Sequence, residues 1–392
     1  MQAGIPRNDD FNGAMLEGVG VYQVTQRDGA RCSAAVAYLH PVRDRKNLVV
    51  RTDAMVTRIT FDKGRTNGVT AVVRGQAFHF EATREVLLSG GAINSPHLLM
   101  LSGIGPAREL QRHGIAVVHD APNVGENLQD HLDICTLEHS TQPITYDRLS
   151  DMKVAFDYFL RGHQGAGSSN IAEGGGFVRS ALAPDERPDI QLHFLPAMLD
   201  DHGRHRLRGD GYTVHACFLR PRSRGRIALA TGRAGDRPRI EANYLTDADG
   251  FDMRMMVECA KVSRDILAQK AFDPFRGAPI FPARRDLDVA GLEAFVRAKA
   301  ETVYHPVGSC RMGSDALSVV DPISMKVHGL EGLRVVDASV MPYVTNGNIY
   351  APTIMIAEKA ADRIMNNTPL PPAKVDFHRH QMRLHAHDQV LV

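Results

Sequence analysis

Long apolar runs are missing from this chain: no stretch of its 392 residues approaches the ~20 apolar positions that a membrane span requires. The opening, MQAGIPRNDD, has no signal-peptide core. Charge of one sign is not in excess either. The 46 Lys and Arg face 45 Asp and Glu, a net charge of +1, which excludes the basic footprint of a nucleic-acid binder or of a protein held by anionic lipid. Cysteine is sparse. Cys32, Cys135, Cys217, Cys259 and Cys310 lie far apart with no CxxC pair, which argues against a disulfide scaffold or a zinc ribbon and fits a reducing compartment. No GxSxG occurs, so the elbow of a serine hydrolase is excluded, and no internal repeat is visible. These absences lead to the expectation of a soluble, cytoplasmic protein without a nucleic-acid partner and without a metal, with peripheral membrane association left open.

What is present is an ordinary globular mixture, 43% apolar and 23% charged, and 392 residues are enough for two or three folding units. The Gly-, Asn- and Asp-rich start through Gln23 reads as irregular structure or short strands. From 47 to 90, β-branched residues with partial alternation predict consecutive strands, with a turn at KGRTN. The run VLLS, apolar without alternation, suits a strand buried on both faces. It leads through Ser89-Gly90-Gly91 into a helix expected from Ser95, with Ser95 as its cap and Pro96 at its first position. Such a strand-to-helix junction lets backbone N–H groups approach a ligand.

Between 136 and 300 the grammar changes. An amphipathic helix at DRLSDMKVAFDYFLRG and a Gly/Ser loop precede alternating strands at DIQLHFLPAML, YTVHACFLRPRSRGRIALA and PRIEANYL, and a long helix at DADGFDMRMMVECAKVSRDILAQK ends the series. Strands followed by a helix, without βαβ rhythm, predict an antiparallel sheet backed by helices. The α/β pattern then returns. A buried strand over Leu333–Val336 runs into Asp337-Ala338-Ser339, and a helix is expected at APTIMIAEKAADRI with Pro352 at its first position. The chain closes on NNTPLPP and a polar tail whose histidines, His378, His380, His385 and His387, form two HxH pairs.

Five segments, in order, resemble the glucose–methanol–choline (GMC) oxidoreductases. Gly91–Gly105 is similar to that family's second signature, and Asn123-Val124-Gly125-Glu126-Asn127-Leu128-Gln129-Asp130-His131 to its NVGxNLQDH turn. Tyr304-His305-Pro306-Val307-Gly308-Ser309-Cys310-Arg311-Met312-Gly313 resembles its HPxGTCRMG segment. Val336–Pro342 and Gly347–Met355 resemble its C-terminal flavin loop. The style is that of the FAD-dependent alcohol and choline dehydrogenase branch.

The resemblance implies an α/β FAD-binding domain, incomplete and Rossmann-like, over 36–135 and 301–367. It also implies an α+β substrate domain with an antiparallel sheet over 136–300, leaving 368–392 as a polar tail. It implies FAD as cofactor and the oxidation of a primary alcohol, choline-like or aliphatic, to an aldehyde, with hydride passing to flavin N5 and electrons to a non-oxygen acceptor such as a quinone. His305 and Asn348 match the catalytic pair. Histidine is the side chain that takes a proton near neutrality, and an amide can donate to a developing alkoxide. Val56, Ser89, Gly90, Asp337, Ala338, Asn348, Pro352 and Thr353 match cofactor-contact positions. Two departures stand out. Tyr350 replaces an Asn common in that branch, and no GxGxxG occurs anywhere in the chain. The second leads to the alternative expectation of a non-catalytic fragment, or of half a split enzyme that needs an upstream polypeptide.

Overall fold

The computed structural model describes residues 1–205 and 207–373; the histidine pairs of the tail lie outside the described residues. The Gly- and Asn-rich start contains one short strand of the main sheet, β1 (Gly18–Val21). The predicted strands follow as β2 (Ala54–Asp62), β3 (Arg65–Val73) and β4 (Gln76–Glu81), an antiparallel meander. The β2–β3 reversal needs only Lys63 and Gly64, at φ +47° and +82°, so Arg65 already belongs to β3.

β5 (Val86–Leu88) leads into α1 (Gly91–Leu101), which starts at Gly91 rather than at Ser95. Pro96 therefore lies inside the helix. Its missing amide would have bonded the carbonyl four residues back, that of Ala92. The hydroxyl of Ser309 donates to that carbonyl instead, at 2.5 Å, so no buried acceptor is orphaned. Ser95 does not cap the helix; its hydroxyl donates to Asp337 Oδ2 at 2.5 Å.

The second body is the predicted antiparallel sheet. Its elements are β6 (Leu132–Ser140), α2 (Asp151–Leu160), β7 (Gly174–Val178), β8 (Ile190–Leu195), β9 (Gly211–Phe218), α3 (Phe251–Leu267), β10 (Arg276–Phe281), α4 (Val289–Lys299) and β11 (Glu301–Thr302). The strand order is β1-β7-β8-β9-β6-β10, with β11 pairing β6. The division expected between 135 and 136 runs through the continuous strand β6, and β1 joins this sheet from outside the expected range.

The period-two alternation of these strands decides what each face carries. Ile134, Ile190, Leu192, Val214 and Ala216 pack against Met255, Met256, Cys259 and Ala260 of α3. The opposite face carries Asp133, Cys135, Gln191, His193, His215 and Cys217, aligned by the β6–β9 and β8–β9 registers.

The chain then returns to the first body with β12 (Leu333–Val335), parallel to β5, and α5 (Tyr350–Met365). Leu88, Leu99, Met100, Ile104, Val307, Leu333 and Val335 form its core. β5 is not buried on both faces as its composition suggested. Leu88 packs into that core, but Leu87 on the other face is 48% exposed, because the β5–β12 sheet has two strands and only one face covered. α5 begins at Tyr350, so Pro352 is its third residue rather than its first, a position that still needs no intrahelical donor. All five cysteines are free and buried, and no helix among the described residues is long and apolar enough to cross a membrane.

Candidate active site

His305 stands just after β11, at the end of a turn in which Tyr304 takes φ +64°, a left-handed conformation that costs a non-glycine residue energy. The turn is held by one carboxylate. Asp130 Oδ1 accepts the backbone N–H of His305 at 2.8 Å, and Oδ2 accepts the hydroxyls of Tyr244, at 2.5 Å, and of Thr302. His305 is thereby fixed in a buried position, 6% exposed.

Its ring meets that of His131 edge-on. The planes are 89° apart and the two Nδ1 atoms 3.0 Å apart, while His131 Nε2 lies 3.0 Å from the carbonyl oxygen of Leu219. Burial pushes His131 down to about pH 3, so its imidazole is neutral. A carbonyl only accepts, so His131 carries its proton on Nε2 and offers the lone pair of Nδ1. His305 must then donate from its own Nδ1, which leaves its Nε2 unprotonated. Burial also lowers the pKa of His305, against the opposing pull of Asp130 and Asp133, and keeps this lone pair free near neutrality.

Asn348 faces that lone pair, with Nδ2 3.3 Å from His305 Nε2. The amide is oriented from behind, because Gln191 Nε2 donates to Asn348 Oδ1 at 2.8 Å. The imidazole nitrogen of His305 and the amide of Asn348 therefore face one another directly. Behind Gln191 the sheet face continues with His193, which burial pushes down to about pH 4, and with a buried ion pair. In that pair Asp133 Oδ2 lies 2.5 Å from His215 Nδ1. Burial opposes both charges, yet the pairing holds the carboxyl below and the imidazole above its usual range.

A second junction gathers four of the expected cofactor residues. Asp337 Oδ2 accepts the N–H of Gly91 at 2.9 Å, its Oδ1 accepts that of Ser339 at 2.8 Å, and Ser95 Oγ accepts the N–H of Gly90 at 2.9 Å. Asp337 thus caps the short turn Ala338–Val340 while pinning the end of β5; Ala338 is buried, and Ser89 and Gly90 are exposed. The two junctions are tied together by Cys310 N–H to Ser339 O, at 2.9 Å, and Met312 N–H to Val340 O, at 2.8 Å. Val56 lies on β2 with its side chain exposed. Pro352 and Thr353 lie in the first turn of α5, where the Thr353 hydroxyl donates to Ile349 O at 2.7 Å.

Asp130, His131, Asp133, Gln191 and His193 are not among the residues expected at the site from the sequence. For Asp130 and His131 a signal existed, since both lie in the NVGENLQDH segment. That segment also stitches the site together, with Asn127 Nδ2 donating to Gly308 O at 3.3 Å and Gln129 Nε2 to Pro342 O at 2.9 Å. For Asp133, Gln191 and His193 there was no signal beyond alternation within a strand.

Residues 1–133 and residues 221–357 each match a family model described as GMC oxidoreductase. Over 97% of its length the chain is 45% identical to an alcohol dehydrogenase [acceptor] of Pseudomonas putida, covering 70% of that protein. It is also 45% identical to the mitochondrial choline dehydrogenase of Homo sapiens over 94% of the chain and 62% of the relative. Among solved structures, pyridoxine 4-oxidase from Mesorbium loti superposes with a TM-score of 0.82 at 28% identity, over 94% of this chain and 68% of that one. A formate oxidase superposes with a TM-score of 0.84 at 28% identity, over 93% of this chain and 68% of that one.

Proposed function

This chain belongs to the GMC oxidoreductase family, and we propose that it oxidises a primary alcohol, aliphatic or choline-like, to an aldehyde, with FAD as hydride acceptor and a quinone-like compound taking the electrons onward. The observation that carries this reading is the buried His305 ring, held by His131 at Nδ1, with its Nε2 3.3 Å from the amide nitrogen of Asn348.

The residues present suit the cofactor. Gly91 has φ +78°, and a Cβ there would meet nothing within 4 Å, so the turn after β5 presents bare backbone beside the exposed Ser89 and Gly90. Val56, Ser89, Gly90, Asp337, Ala338, Asn348, Pro352 and Thr353 are the residues that would hold it. FAD, when bound, supplies the acceptor for the hydride that leaves the alcohol carbon. The positive end of α5 would favour negative charge placed there by under ~2 kcal/mol.

The chain's own part is proton and charge management. His305 Nε2 takes the hydroxyl proton, and the Nδ1–H···Nδ1 bond to His131 keeps that tautomer in place. Asn348 Nδ2 donates to the oxygen as it gains charge, and Gln191 keeps the amide turned that way.

Purification of the 392-residue chain with added FAD tests this. The expected result is a flavin spectrum that bleaches anaerobically with a primary alcohol and recovers with a quinone. A chain that takes up no flavin, or a bound flavin that no alcohol in an aliphatic and quaternary-ammonium panel bleaches, overturns it.

A further inference from the structure

On the sheet face behind Gln191, Asp133, Cys135 and His215 bring an oxygen, a sulfur and a nitrogen donor within 4.8 Å of one another. Alternation along β6 puts Asp133 and Cys135 on one side, and the β6–β9 register sets His215 opposite Cys135. Cys135 Sγ lies 3.0 Å from His215 Nδ1 and 3.8 Å from Asp133 Oδ2. β11 pairs beside Asp133 and adds Glu301, whose Oε1 is 3.8 Å from the same sulfur. The other oxygen of the 2%-exposed Asp133, Oδ1, is buried with no hydrogen-bond partner. Alcohol oxidation as derived above uses neither Cys135 nor His215.

A nucleophilic role for Cys135 does not fit. Burial first, then the carboxylates of Asp133 and Glu301, hold its thiol well above the ordinary range, so the thiolate does not form unaided. A divalent cation reverses that balance by cancelling both carboxylate charges.

We propose that Asp133, Cys135 and His215, with Glu301 as fourth ligand, form a zinc-binding site in the wall of the active site. A mixed sulfur, nitrogen and carboxylate set suits a borderline-soft, tetrahedral ion, whereas magnesium and calcium take oxygen alone. Metal–ligand bonds of about 2.0–2.3 Å put tetrahedral donors roughly 3.3–3.8 Å apart; Cys135 stands 3.8 Å from both Asp133 and Glu301, while its 3.0 Å contact with His215 is shorter than that range. The Asp133–His215 and Cys135–His215 contacts, at 2.5 and 3.0 Å, have to open, and Glu301 has to turn from His202 toward the other three donors. Binding forms Zn–S and Zn–N bonds and breaks the S–H bond of Cys135 and the Nδ1–H bond of His215, and both protons leave to solvent. The His215 and Glu301 side chains, 14% and 18% exposed, supply the way in. Asp133 and Gln191 both register with Cys217, so the site lies on the same sheet face as the residue that orients Asn348, two strands away from it.

Cobalt(II) titration of the full chain, read as difference spectra, tests the site without depending on flavin or on turnover. The expected result is sulfur-to-cobalt charge-transfer absorption with tetrahedral d–d bands, saturating at one equivalent and displaced by zinc. Cys135→Ser removes the charge-transfer band, and Glu301→Gln weakens zinc binding roughly 10–100-fold. The tail histidines contain no sulfur and cannot produce this band. His215→Gln, checked for folding by circular dichroism, weakens the band's titration in the same direction and serves if the cysteine variant does not fold. A wild-type chain without the band, or an undiminished band in folded Cys135→Ser or His215→Gln, overturns the site.

Discussion

His131 and His305 meet Nδ1 to Nδ1 at 3.0 Å, and this contact decides which nitrogen of His305 faces Asn348. A histidine whose far nitrogen is spent on a carbonyl can only accept at the near one. The proton of His305 is therefore held on the side away from Asn348.

His305→Gln removes the base and keeps a hydrogen-bonding side chain. The rate constant kcat should fall by about 10²–10⁴, with flavin content and circular dichroism unchanged. A loss smaller than tenfold would mean that another group takes the proton.

His131→Leu leaves the Nδ1–H of His305 buried without an acceptor. A destabilisation of roughly 1–3 kcal/mol in urea unfolding is expected, together with a fall in kcat larger than any rise in KM. Stability that drops while the pH–rate profile and kcat stay as they were would reduce His131 to a packing residue.

Gln191→Leu frees the amide of Asn348 to rotate. Losing one such hydrogen bond is worth about 0.5–1.5 kcal/mol, so kcat should fall by up to roughly tenfold. Gln191→Leu in an Asn348→Ala background should then cost little more, and full additivity of the two losses in steady-state kinetics would contradict the positioning role.

The acid limb of kcat/KM should report His305. Its pKa is lowered from 6.5, chiefly by burial, and the active form is the neutral base. Activity should therefore hold down to pH 6.5 and fall only below it. Stability follows the same sign. His131 and His193 are pushed down to about 3 and 4, whereas the unfolded chain protonates them near 6.5. Their contribution is complete above pH 6.5 and lost as the pH falls from there toward 4 and 3. Scanning calorimetry should show Tm dropping through that window, less steeply in His193→Phe.

Ser309→Ala removes the hydroxyl that answers the Ala92 carbonyl opposite Pro96. The expected cost is about 1–3 kcal/mol of stability, read as a lower urea midpoint. Because Ser309 is embedded in the segment that follows His305, some loss of kcat should accompany it.

Much of this protein was legible in its order of residues. Alternation predicted the antiparallel sheet, because a strand with one buried face must repeat every second position. The YHPVGSCRMG and GNIYAPT segments marked His305 and Asn348 through their resemblance to the GMC oxidoreductases, and the two residue types suit the proton transfer and alkoxide stabilisation that the resemblance implies. Local signals misplaced the starts of both functional helices. Pro96 and Pro352 look like first-turn residues by propensity alone, and in α1 only a hydroxyl from a distant segment, Ser309, makes the interior position tolerable. Asp133, Gln191 and His193 were invisible for a related reason. Nothing in a strand's own alternation says what its polar face will meet, and the partners of these residues lie on other strands or on the loop of Asn348. The tautomer of His305 is decided further still from its own neighbourhood, by the carbonyl of Leu219 on the far side of His131. Residue type and spacing determined which chemistry was available; long-range hydrogen bonds, which form only when separate strands are brought together, decided which atoms perform it.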